Sequence, residues 1–408
     1  MKILLHNGFD SPVGGVETYF HTLCSELQSQ GHNIVRLYTR SGRKLSIRDE
    51  NCVTYYLPDI GRWNFFDLAR GLKSKDVQRD IRRLRYILDK EKPDIIHLQN
   101  CKFLFFFQLA KGNIPIIQSV QDYNYTCPGL LKLLPKSNDI CASSMGTACF
   151  LKNRCIPITS PRWIHRFGVS YINRQICSEF TKLLVASESM KKTLLLNGFA
   201  KSKIVLLPLF TELETGEVDE NSYNSRIILY SGRTDKEKGI PLLLKALSYL
   251  QEDFYLIIDG KGLVLDLIKR QVKEMQMERK VAFCCSKSRE EINHNYKTCS
   301  MVIVPSIWPE PFGLSGLEAM AHSKPVIAFD VGGIPEWLSN QKTGYLIPVG
   351  DTKKLAEKIN LLLKNPDIAR QLGQEGRKRV MTKFNKQIHI NSLLKIYRDV
   401  IAAKNKVK

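Results

Sequence analysis

Short runs of β-branched and apolar residues alternate along the chain with longer stretches of helical periodicity, the pattern of doubly wound parallel sheets. In the first half the predicted strands are Lys2–His6, Ile34–Tyr38, Ile95–Leu98, Ile116–Val120, Leu183–Ala186 and Ile204–Leu207, with helices that include Val16–Gln30 and Asp76–Lys90. Residues 127–166 are rich in turn formers and weakly periodic, and read as one elaborated loop of the kind that carries function. A polar stretch, Thr211–Ser225, marks a linker. The alternation restarts with strands Ile227–Tyr230, Phe254–Ile258, Val281–Cys284, Met301–Val304, Val326–Phe329 and Gly344–Ile347. Helices Ile240–Leu250, Val264–Met277, Leu314–Ala321 and Thr352–Leu363 lie between them. The segment Asn385–Ala403 reads as an amphipathic helix with Ile388, Leu393, Leu394, Ile396 and Tyr397 as its apolar contacts. The expected organisation is a βα domain over 1–210, a second over 211–384, and a terminal helix over 385–408.

Composition agrees with that division. A chain of 408 residues exceeds one ordinary hydrophobic core, and its 43% apolar and 25% charged content is that of a soluble globular protein. No uninterrupted apolar run reaches spanning length, and the apolar start MKILL is too short for a signal peptide, so the expected location is the cytoplasm. The formal charge of +21 changes the picture, because it suits an anionic partner. No zinc-finger, basic-zipper or RNA-recognition signature accompanies it, which argues against nucleic acid. Basic residues crowd between Arg70 and Lys92: Lys73, Lys75, Arg79, Arg82, Arg83 and Arg85 outnumber Asp76, Asp80 and Asp89. A solvated helix face and a membrane-docking surface both fit this run. The run Phe103–Phe107 fits core packing or a membrane-facing patch.

The chemistry concentrates after two strands of the second half. In WPEPFGLSGLEAMAHSKPVIAFDVGGIPEWL, beginning at Trp308, a strand leads through a loop into a helix starting near Leu314. Gly313 admits close approach of a ligand, and the free N–H groups of Leu314 and Ser315 carry about half a positive charge at the helix end, suited to phosphate. Glu310 before the helix and Glu318 within it suit hydroxyl-bearing groups such as ribose or hexose, since a carboxylate accepts two hydrogen bonds from a diol. In SGRTDKEKG, Ser231–Gly239, two cations, Arg233 and Lys238, leave the carboxyl edge of a strand together and suit a diphosphate leaving group. A glycine-rich turn, SPVGGVE at Ser11–Glu17, follows the first strand without the GxGxxG spacing of a dinucleotide site.

These residues closely resemble glycosyltransferase family 4, the retaining group 1 enzymes of GT-B fold. The resemblance rests on the Glu310/Glu318 pair, EPFGLSGLEAMA, GRTDKEKG and DVGGIPE at Asp330–Glu336, and in the first half on GGVE at Gly14–Glu17, PDIIH at Pro93–His97 and QDYNYTCP at Gln121–Pro128. It implies two Rossmann-like domains facing a central cleft, with the terminal helix packed back on the first. Arg233 and Lys238 would then bind the donor diphosphate, Glu318 the ribose, and Glu310 with the Phe312–Gly313–Leu314 backbone the sugar and phosphate. Gly14 and Gly15 would let the first domain close over the diphosphate.

The implied reaction is front-face transfer of a hexose from a nucleoside-diphosphate sugar to a glycan or lipid-linked hydroxyl, in cell-surface polysaccharide or lipopolysaccharide biosynthesis. The departing phosphate would assist deprotonation, and no metal or other cofactor is required. Two positions depart from the family. Gln121 stands where many relatives carry histidine, which leaves His97 and Asp122 as acceptor-side candidates, and Cys285 stands for a common glycine near the base pocket. His97 equally suits a buried hydrogen-bonded role. A soluble enzyme making a small glycoside and a non-catalytic sugar-nucleotide-binding subunit remain alternatives.

Eleven cysteines in a reducing compartment are expected mostly as apolar fillers. Cys127, Cys141, Cys149 and Cys155 fall in the long loop, where free thiols, a structural zinc site and disulfides are all to be weighed.

Overall fold

A computed structural model of the chain describes residues 1–8, 10, 15–39, 47–49, 52–57, 75–99, 101, 107, 112–155, 161–211, 219–286 and 288–406. The chain divides into two compact units, Met1–Leu207 with Ile390–Lys408, and Pro208–His389.

The first unit is built on strands β1 Lys2–Asn7, β2 Asn33–Tyr38, β3 Ile47–Asp49, β4 Cys52–Tyr56, β5 Ile95–Gln99, β6 Ile116–Val120, β7 Lys182–Val185 and β8 Ile204–Leu206, in the order β3-β4-β2-β1-β5-β6-β7-β8. All neighbours are parallel except β3 with β4. Strands covered on both faces read as continuous apolar runs, and β1 buries Ile3, Leu4, Leu5 and His6 completely. Helices among its described residues include α1 Gly15–Ser29, α2 Lys75–Glu91, α3 Pro161–Glu179 and α4 Glu188–Leu196. Tyr19, Phe20, Leu23, Cys24 and Leu27 give α1 an apolar stripe of helical period.

The second unit is a six-stranded, all-parallel sheet in the order β11-β10-β9-β12-β13-β14. These strands are β9 Ile227–Ser231, β10 Tyr255–Asp259, β11 Val281–Cys284, β12 Met301–Val304, β13 Val326–Phe329 and β14 Gly344–Ile347. Its longer helices are α5 Ile240–Leu247, α6 Leu265–Glu274, α7 Arg289–Thr298, α8 Leu314–Ala321, α9 Thr352–Lys364 and α10 Pro366–Lys383, a single helical turn at Ile334–Trp337 precedes β14, and the terminal helix α11 spans Lys386–Lys406. In α11, Leu393, Leu394 and Tyr397 are buried as the pattern predicts, whereas Ile388 is 42% exposed.

The structure corrects the pattern where periodicity is weak. Strands β3 and β4 and helices α4, α7 and α10 are additional to those expected. The long loop is shorter than 127–166, because α3 begins at Pro161, inside the range read as loop. Half-exposed apolar positions in that helix blur its amphipathic signal. Gly14 and the rest of 11–14, Phe103–Phe106 and linker residues 212–218 lie outside the described residues. Phe107 is described and fully buried, its ring 5.1 Å from that of His6. No helix among the described residues is long and apolar enough to cross a membrane.

Candidate active site

In the second sheet the strand order reverses at β9, which has β10 on one side and β12 on the other. Loops leaving the carboxyl ends of β9 and β12 diverge at such a point and leave a crevice between them. The β9 loop is Gly232–Gly239 and the β12 loop is Pro305–Gly313, so both motifs meet there. Gly239 has φ +70° and lies against the Pro305 carbonyl, where an added Cβ would come within 1.9 Å. The Ile307 N–H donates to the Glu237 carbonyl at 2.9 Å and ties the two loops together.

This approach pairs Lys238 with Glu310, Nζ to Oε1 2.6 Å. Ser306 Oγ donates to the same carboxylate oxygen at 2.6 Å, and Lys238 Nζ lies 5.2 Å from the centre of the Trp308 ring. Burial alone would raise the Glu310 pKa, but the charge of Lys238 and hydrogen bonds from Lys238 and Ser306 outweigh it and hold the carboxyl below the ordinary glutamate value. The backbone at Glu310 is fixed from the other side, where its carbonyl accepts the Gly333 N–H at 2.7 Å. Arg233 pairs with Asp235 and, at 3.4 Å, with Glu237, while more than half of its side chain stays exposed. A guanidinium has five N–H donors, so these two partners leave capacity for an anion.

The loop then enters α8. Phe312 is buried, and its carbonyl accepts the Trp337 indole N–H at 2.6 Å. Gly313, φ +96°, is the N-cap and no side chain caps the helix, which leaves the first-turn N–H groups at Leu314 and Ser315 without an internal cap. Glu318, one turn in, is held by Arg289 Nη1 at 2.7 Å and by the Tyr296 hydroxyl at 3.2 Å. The same hydroxyl donates to the Ser315 carbonyl at 3.1 Å. Both partners come from α7, which also lines an open cavity of about 460 Å³ with Glu290, Glu291, His294 and Asn295. Cys284, Cys285 and Ser286 form the rest of the wall, with Cys285 exposed. Beneath them Asp259 accepts from the Ser286 hydroxyl and the Asn295 amide, at 2.7 and 3.0 Å. Ser306, Arg289, Tyr296 and Asp259 were not legible as site residues, because they belong to no local motif.

In the first unit, Gly15 opens α1 after the β1 carboxyl end. His97 is fully buried in β5, its Nδ1 sharing a hydrogen bond with the Tyr397 hydroxyl at 2.6 Å and its Nε2 one with Ser119 Oγ at 2.8 Å. Both ring nitrogens are thus engaged with the fold, the buried alternative. Gln121 is half-buried and donates to Gln99 at 3.3 Å. Asp122 accepts from the backbone and side-chain amides of Asn124, the former at 2.9 Å.

The loop cysteines take the first of the three forms weighed above, as unbridged thiols. Among the described residues no group of three or more His, Cys, Asp or Glu is arranged to hold a metal ion, and Cys127, Cys141, Cys149 and Cys155 are free thiols. Burial raises the Cys155 pKa to about 11, with the neighbouring thiols adding to it. Hydrogen bonds shape this loop: Cys141 N–H to the Lys132 carbonyl at 2.7 Å, Cys155 N–H to the Cys149 carbonyl at 2.8 Å, and Lys132 Nζ to the Ser143 carbonyl.

Comparison with known proteins gives the family and the fold. A family model of glycosyl transferases group 1 matches residues 217–379, and one of Glycosyltransferase Family 4 matches residues 13–215. The chain is 27% identical to the capsular polysaccharide biosynthesis glycosyltransferase CapM of Staphylococcus aureus over 63% of this chain and 74% of that protein. It is 30% identical to the alpha-maltose-1-phosphate synthase of Mycolicibacterium smegmatis over 44% of this chain and 49% of that enzyme. In three of the curated relatives the match spans 60%, 49% and 56% of the relative's own length. The structure of Anabaena HepE in complex with UDP and glucose superposes with a TM-score of 0.71 at 15% identity, covering 98% of this chain and 100% of that one. That likeness shows the shared fold, GT-B. With both family models matched in succession and the fold in agreement, the chain belongs to the group 1 glycosyltransferases of family 4.

Proposed function

We propose that this transferase moves a hexose, with retention, from a nucleoside-diphosphate sugar to a hydroxyl of a glycan or lipid-linked acceptor in cell-surface polysaccharide or lipopolysaccharide synthesis. The observation that carries the reading is the Lys238–Glu310 pair, set at a sheet switch point beside an uncapped helix N-terminus. Lys238 and Arg233 supply positive charge where a diphosphate leaving group develops negative charge, and the N–H groups of Leu314 and Ser315 add donors fixed in advance. Glu310, kept ionised and buried, is a hydrogen-bond acceptor for sugar hydroxyls. Glu318, held by Arg289 and Tyr296, is the corresponding acceptor for a ribose diol. The released phosphate takes the acceptor proton, and these residues do their work without a metal ion or further cofactor. The UDP and glucose of the HepE structure support the donor class, and the similarity to CapM supports a polysaccharide product. The placement is cytoplasmic, with reversible contact at an anionic membrane face drawn by the basic surface.

The synthase of Mycolicibacterium smegmatis favours a second reading, in which the acceptor is a small soluble sugar. Donor hydrolysis and transfer by purified protein, with and without cell lipid extract, separate the two. Arg233→Ala is expected to lower turnover by roughly 10² or more, as for other groups that stabilise developing charge. Glu310→Gln is expected to lower turnover more than affinity for free nucleoside diphosphate, and Glu318→Ala to weaken that affinity directly. Calorimetric titration with UDP checks the division of roles, and wild-type affinity in Glu318→Ala would refute it.

A further inference from the structure

One stretch of the first unit is strongly cationic. Between Asp139 and Glu179 there is no Asp or Glu, while Lys152, Arg154, Arg162, Arg166 and Arg174 fall within that span. Its two parts pack on each other. The Phe150 and Phe167 rings meet edge to face at 4.8 Å, and Phe167 stacks on Tyr171 at 6.3 Å. Met145, Cys149 and Cys155 fill the space beneath. Outward, Leu151 is 73% exposed, Ile164 46% and Tyr171 44%. From Ile164 to Val169 no residue of α3 is buried. Lys152 and Arg154 are exposed, and the Arg174 guanidinium lies 5.3 Å from the Tyr171 ring and donates to the Met145 carbonyl at 3.4 Å. Those two partners are neutral, so they leave its charge uncompensated.

We propose that this face, Leu151–Arg154 with the outward side of α3, docks on an anionic lipid bilayer, and the proposal rests on the reading of a lipid-linked acceptor. Interfacial helices bind when apolar side chains enter the headgroup boundary beside cations that meet lipid phosphates. Leu151, Ile164 and Tyr171 are the entering groups, and Lys152, Arg154 and Arg174 the phosphate-facing ones. The basic helix α2 lacks this combination. Arg79 and Arg83 each lie 3.5 Å from the buried Asp80, and Tyr86 is the single exposed large apolar side chain among its described residues. It therefore supplies attraction at a distance but little insertion.

Flotation of the full chain with phosphatidylcholine vesicles, and with the same vesicles containing phosphatidylglycerol, tests the assignment. Wild type is expected to float with the anionic vesicles and to retain part of that binding at moderate salt, where purely electrostatic attraction is screened. The double variant Leu151→Ser/Ile164→Ser is expected to bind them roughly tenfold less, from two lost apolar insertions. Arg82→Gln/Arg83→Gln/Arg85→Gln is expected to lose less. The serine positions are exposed, so an unchanged melting temperature confirms that the variant is folded. Equal flotation of wild type and the double variant overturns the proposal, as does absence of wild-type binding, which would point to an acidic protein partner. Vesicle binding requires no turnover, and donor hydrolysis without vesicles, expected unchanged in the double variant, reports separately on the transferase reading.

Discussion

Glu310 is 6% exposed, and it remains ionised because Lys238 sits 2.6 Å away with Ser306 at the same oxygen. Removing one member of a buried pair strands the other, at a cost of roughly 3–5 kcal/mol. Lys238→Ala is therefore expected to lower thermal stability as well as turnover, so its activity alone is a poor measure of phosphate binding. Lys238→Met combined with Glu310→Gln should recover most of the stability and none of the turnover, which calorimetry and a rate assay would separate. The pH dependence follows from the lowered Glu310 pKa. The stabilisation from this carboxylate is complete above the ordinary glutamate value and is lost as pH falls through the lowered one. Acid titration of the melting temperature should thus show a steeper decline in wild type than in Glu310→Gln. Parallel curves would remove this account of the pair.

Helix α8 presents its N-terminus to the site only because its neighbours approach closely. A Cβ on Gly316 would lie 2.1 Å from the Trp337 ring, and that ring is fully buried while its N–H holds the Phe312 carbonyl. Gly316→Ala must therefore push apart the helix and the tryptophan that anchors the preceding loop. Overpacking of this kind costs about 1–3 kcal/mol, and the displacement should also weaken nucleotide binding. Gly146→Ala, where nothing lies within 4 Å of the added carbon, is the matching control. A Gly316→Ala protein with wild-type melting temperature and UDP affinity would contradict this packing. The motif around Glu318 is legible in sequence because one helix carries it. Its clasp by Arg289 and Tyr296 is not, since α7 shows only a polar helical segment until the sheet brings it beside α8.

At the scale of the molecule, the last residues of the chain belong to its first unit. Ile390, Leu393, Leu394, Tyr397 and Val400 are buried there, and Tyr397 holds His97. Each buried apolar side chain of this size contributes about 1.5–3 kcal/mol. A chain ending at His389 is accordingly expected to lose the protease resistance of residues 1–207, while the second unit keeps its affinity for UDP. Limited proteolysis with mass spectrometry, alongside titration, reads both halves. A first unit as resistant as in the full chain would show that α11 is dispensable to it.

The sequence by itself determined the two βα domains, the strands of the second sheet to within a residue or so, and the motifs carrying Arg233, Lys238, Glu310 and Glu318. Strand and helix periodicity and turn chemistry act over a few residues, so they survive in a one-dimensional reading. The periodicity faltered where burial was partial, as in α3, and it missed β3 and β4 at one edge of the first sheet. Only the tertiary structure decided the rest. Lys238 and Glu310 are 72 positions apart and meet because β9 lies next to β12. His97 and Tyr397 are 300 apart and meet because α11 belongs to the first unit. The four loop cysteines, close in sequence, are brought near one another as unbridged thiols by the loop's backbone hydrogen bonds and packing. Such pairings depend on strand order and on which faces must be buried together, and those are settled by the folded chain as a whole.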